Sequence, residues 1–234
     1  MGENEITRLE PQAVSIDHRQ VLRLMGYPPA AKVAPAVTAA LPRAIRVVMD
    51  LAEPIALHEL QEVESATREE VRLASGAIFR GQRLAQAMLD AQQAALFVLT
   101  LGQRVSGASR GPAGADPFES FLFDSVASIL VETVADQFQT LLEGRMNGQG
   151  MWGGFRYSPG YCDWPIKENR GLLQLLGARS IGVHLTAGGM MAPQKSISGI
   201  IGFGVDPEKI RVNPCTDCPL PACDHRRSAR KRSP

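Results

Sequence analysis

No stretch of the sequence approaches the run of about 18 apolar residues that a membrane-spanning helix needs. The opening MGENEITRLEPQ also lacks the basic and apolar regions of a secretion signal. A cytoplasmic protein without membrane contact is expected. A charge excess of one sign is lacking too, since the formal net charge is +1. The C-terminal CDHRRSARKRSP carries Arg226, Arg227, Arg230, Lys231 and Arg232 against Asp224, a local +4 that leaves −3 for the rest. A broad nucleic-acid surface is not expected, although a basic tail of this kind can touch RNA or an acidic protein. Common cofactor signatures are missing: there is no Gly-x-Gly-x-x-Gly fingerprint, no P-loop and no Gly-x-Ser-x-Gly elbow. Nicotinamide, ATPase and hydrolase chemistry are correspondingly weak readings.

What is present is enough for one substantial domain with a small appendage: 234 residues, 44% hydrophobic and 21% charged, a globular balance. Helices are expected near Val21 to Met25, over Pro35 to Met49 and over His58 to Leu73, forming a helical arm or subdomain over residues 1–75. A core over 76–213 follows. It should hold a short strand in SGAIFRG, a helix in RLAQAMLDAQQA, a buried strand in AALFVLTLG and a loop in GASRGPAGADP. A long helix should run from Pro117 to Met146, with Asp116 as its cap and Pro117 in its first position. The helix NRGLLQLLG and the strands IGVHLT and SISGIIGF complete an α+β order. Residues 214–234 form a cysteine-containing basic tail.

Two regions carry chemistry. On the long helix, Ser125, Ile129, Glu132, Asp136 and Gln139 recur at three- or four-residue spacing, so two acids on one side can meet a cation or remain hydrated at the edge of the buried face. Next comes MWGGFRYSPGYCDWPIKENRG, expected to be irregular backbone. There Arg156 offers a planar fork for a carboxylate or phosphate. Pro159 and Gly160 can turn the chain close to a ligand, and Tyr157, Tyr161 and Trp164 can supply stacking surface. His184 reads as a packed or edge residue. The four cysteines are Cys162, Cys215, Cys218 and Cys223, and the last three lie in CTDCPLPAC. Their spacing suits zinc or a [4Fe–4S] cluster, with Cys162 or His225 as the fourth ligand, or else they are free thiols.

RYSPGY followed by CDWP, then IGVHLTAGGMMAPQKSISGIIGF, resembles the activation domain of vitamin B12-dependent methionine synthase in its stand-alone form. The opening ITRLEPQAVSIDHRQVLRLMGYP is similar to the start of such proteins. The resemblance implies a twisted antiparallel sheet with flanking helices, preceded here by the helical N-terminal region. It implies a domain that binds S-adenosylmethionine and methylates inactive cobalamin held by a partner, a methionine synthase core or another corrinoid protein, with help from a low-potential electron donor. Carried over by motif, Arg156 holds the methionine carboxylate, Glu132 faces the amino and sulfonium end, and Tyr161 lies where ligand meets corrinoid. Tyr157, Ser158 and Gly160 complete the expected ligand set. The chain departs from the pattern where many members carry Leu-Thr-Glu-Ser, having Leu185-Thr186-Ala187-Gly188, and at Ile200 and Ile201, where the large synthase domain has aromatics. An accessory enzyme of methionine biosynthesis is the first reading. A non-catalytic S-adenosylmethionine-binding adaptor and a zinc-bearing nucleic-acid or protein-binding module stand beside it.

Overall fold

In the computed structural model the described residues are 4–109, 116–211 and 213. Strands are β1 (Glu5–Arg8), β2 (Ile55–Ala66), β3 (Glu70–Leu73), β4 (Ile78–Arg80), β5 (Gln93–Thr100), β6 (Trp152–Tyr157), β7 (His184–Leu185), β8 (Met191–Ala192) and β9 (Ser196–Gly204). Helices are α1 (His18–Leu24), α2 (Pro35–Leu51), α3 (Gln82–Met88), α4 (Gln103–Ser109), α5 (Pro117–Asn147), α6 (Asn169–Leu175) and α7 (Pro207–Ile210). The main sheet has seven antiparallel strands in the order β4-β3-β2-β5-β9-β6, with β1 added to the start of β2. This is the α+β architecture expected.

Alternation along the central strands sends side chains to two cores. Ala95, Phe97 and Leu99 of β5 pack beneath α5, whereas Ala94, Leu96 and Val98 pack with α3 and α6. Helix α5 dominates the first core through a four-residue stripe: Leu122, Val126, Leu130, Val134, Phe138, Leu142 and Met146 are all buried. Its start is as read, with the Asp116 carboxylate accepting from the Phe118 N–H at 2.9 Å and Pro117 in the first turn.

Several expectations about the elements are corrected. Residues His58 to Leu73 are not helical; they belong to β2 and β3. Glutamate, leucine and glutamine there carry helical propensity, but β2 pairs with β5 over eight consecutive positions and is largely buried on both faces from Ala56 to Gln61, so sheet context prevails. The division at residue 75 therefore falls inside one sheet, between β3 and β4. The stretch after α5 is not irregular throughout, because β6 extends the sheet before the turn begins. In IGVHLT only β7 is a strand, and it pairs with β8 outside the main sheet. The loop GASRGPAGADP begins inside α4, and residues 110–115 lie outside the described residues.

Candidate ligand site

Strand β6 carries Arg156 toward α5 and Tyr157 toward the opposite core, opposite Ile201 and Ile200 of β9 respectively. The Arg156 side chain is only 3% exposed. Its Nη2 lies 3.0 Å from Glu132 Oε2, its Nη1 lies 3.0 Å from Asp136 Oδ1, and Nη1 also donates to Gln139 Oε1 at 3.3 Å. Gln139 in turn donates to Glu143 Oε1 and to the Gly154 carbonyl, closing the cluster on β6. The spacing on α5 does bring its acids to a cation, and the cation is the arginine of β6. Two carboxylates around one guanidinium leave a formal −1. They are unequally sheltered, with Glu132 31% and Asp136 59% exposed.

The turn after β6 is pinned from several sides. Tyr161 N–H donates to the Ser158 carbonyl and Trp164 N–H to that of Tyr161, while Gly160 N–H donates to the Trp164 carbonyl. Gly160 has φ 99°, a left-handed conformation that disfavours any side chain, and an added Cβ would press on Ile166 Cδ1 at 3.1 Å. Asp163 accepts from the Gln82 and Arg83 N–H groups at the start of α3, tying the turn to that helix. Trp164 is buried with its ring edge-on to Phe79 at 5.6 Å. Tyr157 and Trp164, which the sequence offers as stacking surface, are both packed in the core. Ser158 is buried, and Tyr161 and Cys162 stand exposed at the tip.

The Ser-x-Ser-Gly segment opening β9 has a structural account for each residue. Ser196 Oγ sits 2.6 Å from the Pro193 carbonyl and 2.9 Å from Thr100 Oγ1. The Ser198 hydroxyl donates to Asn169 Oδ1 and joins β9 to α6. Gly199 is required by close approach, since a Cβ there would collide with the Tyr157 carbonyl oxygen and with the Phe97 ring. That absence of a side chain lets the end of β6 lie against β9.

Sequence reasoning missed Lys195. Its ammonium, 8% exposed, is 2.7 Å from Asp124 Oδ1 and 2.9 Å from Ser128 Oγ, so α5 holds a second buried cation two turns before Glu132. The signal was available as Asp124, Ser128, Glu132 and Asp136 at four-residue intervals.

Among the described residues no three His, Cys, Asp or Glu side chains gather as metal ligands. Cys162 is the described cysteine; Cys215, Cys218 and Cys223, and with them the zinc or iron–sulfur reading, lie outside the described residues. No helix among the described residues is long and apolar enough to cross a membrane.

No curated protein matches the sequence. One solved structure, described as the crystal structure of the MetH reactivation domain bound to AdoHcy, superposes with a TM-score of 0.60 at 13% identity, covering 86% of this chain and 78% of that one. At that identity the likeness is one of fold. The family model for the activation domain of vitamin B12 dependent methionine synthase matches residues 85–217, a span from α3 past α7 that includes Glu132, the turn after β6 and the Ser-x-Ser-Gly strand. The chain belongs to that activation-domain family.

Proposed function

We propose that the chain binds S-adenosylmethionine beside Arg156 and presents its methyl group to cobalamin held by a separate partner, a methionine synthase core or another corrinoid methyltransferase. The observation that carries this reading is the buried Arg156 held between two acids of α5, next to the pinned turn that exposes Tyr161. S-adenosylmethionine has a sulfonium, an ammonium and a carboxylate, a net +1 that complements the formal −1 of the cluster. Asp136, the more exposed acid, is the one the ligand carboxylate displaces from the guanidinium, while Glu132 stays to face the cationic end. One electron from a low-potential donor and the methyl group of the sulfonium together convert inactive cob(II)alamin to methylcobalamin and leave S-adenosylhomocysteine. Because the methyl group is already activated, the residues of this chain align and balance charge and need not move a proton.

Tyr161 provides the test of the shared face. Purified chain, partner loaded with cob(II)alamin, S-adenosylmethionine and a low-potential reductant should form methylcobalamin, followed by its absorption spectrum. Tyr161→Ala should slow that reaction about tenfold or more while calorimetry shows S-adenosylmethionine affinity within about twofold of wild type. Normal methyl transfer by the variant would remove Tyr161 from the docking face. No methylcobalamin from the complete wild-type mixture would favour the adaptor reading.

A further inference from the structure

Away from Arg156, a cavity of about 290 Å³ opens between α6, the 3-10 turn Ala178–Ile181 and β7. Three separate elements bring Arg170, Arg179 and His184 to its wall, and no carboxylate is among its lining residues. Leu173 and Val183 supply an apolar side and Gln174 a neutral amide. The turn that carries Arg179 is bracketed by Gly177 and Gly182, both left-handed, so the chain reverses sharply enough to set Arg179 facing the same space as Arg170.

Several exposed arginines elsewhere among the described residues stand opposite acids: Arg43 by Glu119, Arg80 by Glu70, Arg104 by Glu53 and Arg145 by Glu5. The two arginines of the cavity have no such acid within 4 Å among the described residues. Placing two cations and an imidazole around one concavity raises its potential, and a fork of guanidinium donors matches a phosphate bidentately. We propose that this cleft is an anion site for a phosphate-bearing ligand, gripped by Arg170 and Arg179, with any carbon portion laid along Leu173 and Val183. His184 adds a ring donor. None of these residues contributes to the Arg156 cluster, so the proposal stands apart from S-adenosylmethionine binding.

The test is calorimetric titration of the full chain at low ionic strength with inorganic pyrophosphate and, separately, with phenyl phosphate. Saturable one-to-one binding of both is expected if the apolar side contributes, and of pyrophosphate alone if only the inorganic group is held; either supports the site. Arg170→Gln with Arg179→Gln should weaken binding at least tenfold, since a charged hydrogen-bonded contact contributes that much. Arg46→Gln with Arg68→Gln removes the same charge elsewhere on the surface and should leave affinity within about twofold. Both arginines of the cleft are exposed, and a matching far-ultraviolet spectrum and melting temperature show that the double variant is folded. Amide shifts in wild-type protein on adding pyrophosphate should centre on residues 170–185. Binding of neither probe, equal binding by the cleft variant, equal weakening by the control, or shifts centred elsewhere would overturn the proposal.

Discussion

Arg156 and Lys195 are two buried cations set against one helix, yet their surroundings differ in a way that separates ligand chemistry from loop anchoring. Lys195 meets one acid, Asp124, and a hydroxyl, so its cluster is formally neutral. Its backbone is engaged as well, the carbonyl accepting from Leu101 N–H at 2.9 Å and the amide approaching Ser106 Oγ at 3.4 Å. The lysine therefore fastens the segment before β9 to both α5 and the end of β5. Arg156 meets two acids of unequal exposure, a formal −1 over these three groups, and borders a turn with an exposed tyrosine. Burial of a cation alone does not mark a ligand site; the proposal for Arg156 rests on the two unequally exposed acids beside it and on the adjoining exposed turn.

The largest difference is expected for the arginine itself. Arg156→Ala should lower S-adenosylmethionine affinity by roughly ten- to a hundredfold, since a charged hydrogen-bonded contact contributes about 1.5–3 kcal/mol. Calorimetry on folded variant protein checks this, and unchanged affinity would remove the arginine from the site. Lys195→Met should instead cost about 1 kcal/mol of stability in urea unfolding, because Asp124 is left without its partner but remains hydrated, and ligand affinity should stay within about twofold. If both substitutions weaken binding equally, the two clusters form one site and the contrast between them collapses.

Glu132→Gln keeps the shape of the acid and removes its charge. A several-fold loss of S-adenosylmethionine affinity is expected, with a smaller loss in Asp136→Asn because that acid is more exposed. The reverse order would show that Asp136 is the acid that faces the ligand's cationic end.

The smallest effect concerns a third contact with α5. His58 of β2 is buried edge-on to Phe138, its two ring nitrogens have no hydrogen-bond partner among the described residues, and burial lowers its pKa below the usual histidine value, against the opposing pull of the Glu5 carboxylate 3.9 Å from Nε2. The unfolded chain then binds the proton more readily than the fold does. Stability is full above the ordinary value of about 6.5 and declines as pH falls through it, levelling once the folded group also protonates. Nearby, Glu5 is held below its ordinary range chiefly by its hydrogen bond to Arg145, so loss of that link at lower pH adds a second, more acidic decline. His58→Leu should flatten the first decline and leave the second. Unfolding curves with the same slope in both proteins between pH 7 and 5.5 would show that the imidazole does not protonate on unfolding in that range.

Local code carried α5, its cap and its proline start, because those depend on neighbours a few residues apart. It carried β5 and β9 as apolar runs, and α1, α2 and α6 by their breakers and helical spacing. It failed at β2, where charged residues with helical propensity lie in a strand paired along its length, and at β6, where Gly153 and Gly154 looked like loop. Gly154 is small for a reason remote in sequence: an added Cβ would strike the Ile210 carbonyl.

The same division runs through the site. Residue types and order, Arg-x-x-x-Gly-Tyr after a helix with acids at four-residue spacing, were readable along the chain and pointed to the family. Which acids meet Arg156, that Tyr157 and Trp164 turn into the core, and that Lys195 has a place on α5 were not. Those outcomes depend on which face of β6 and β9 each side chain occupies and on pairs far apart in sequence, such as Arg156 with Glu132 and Lys195 with Asp124, 24 and 71 positions apart. A strand's alternation offers two faces and cannot say which is toward α5; packing of Ile201 and Phe203 beneath that helix settles it by burying apolar area on one side and leaving the charges only each other to meet.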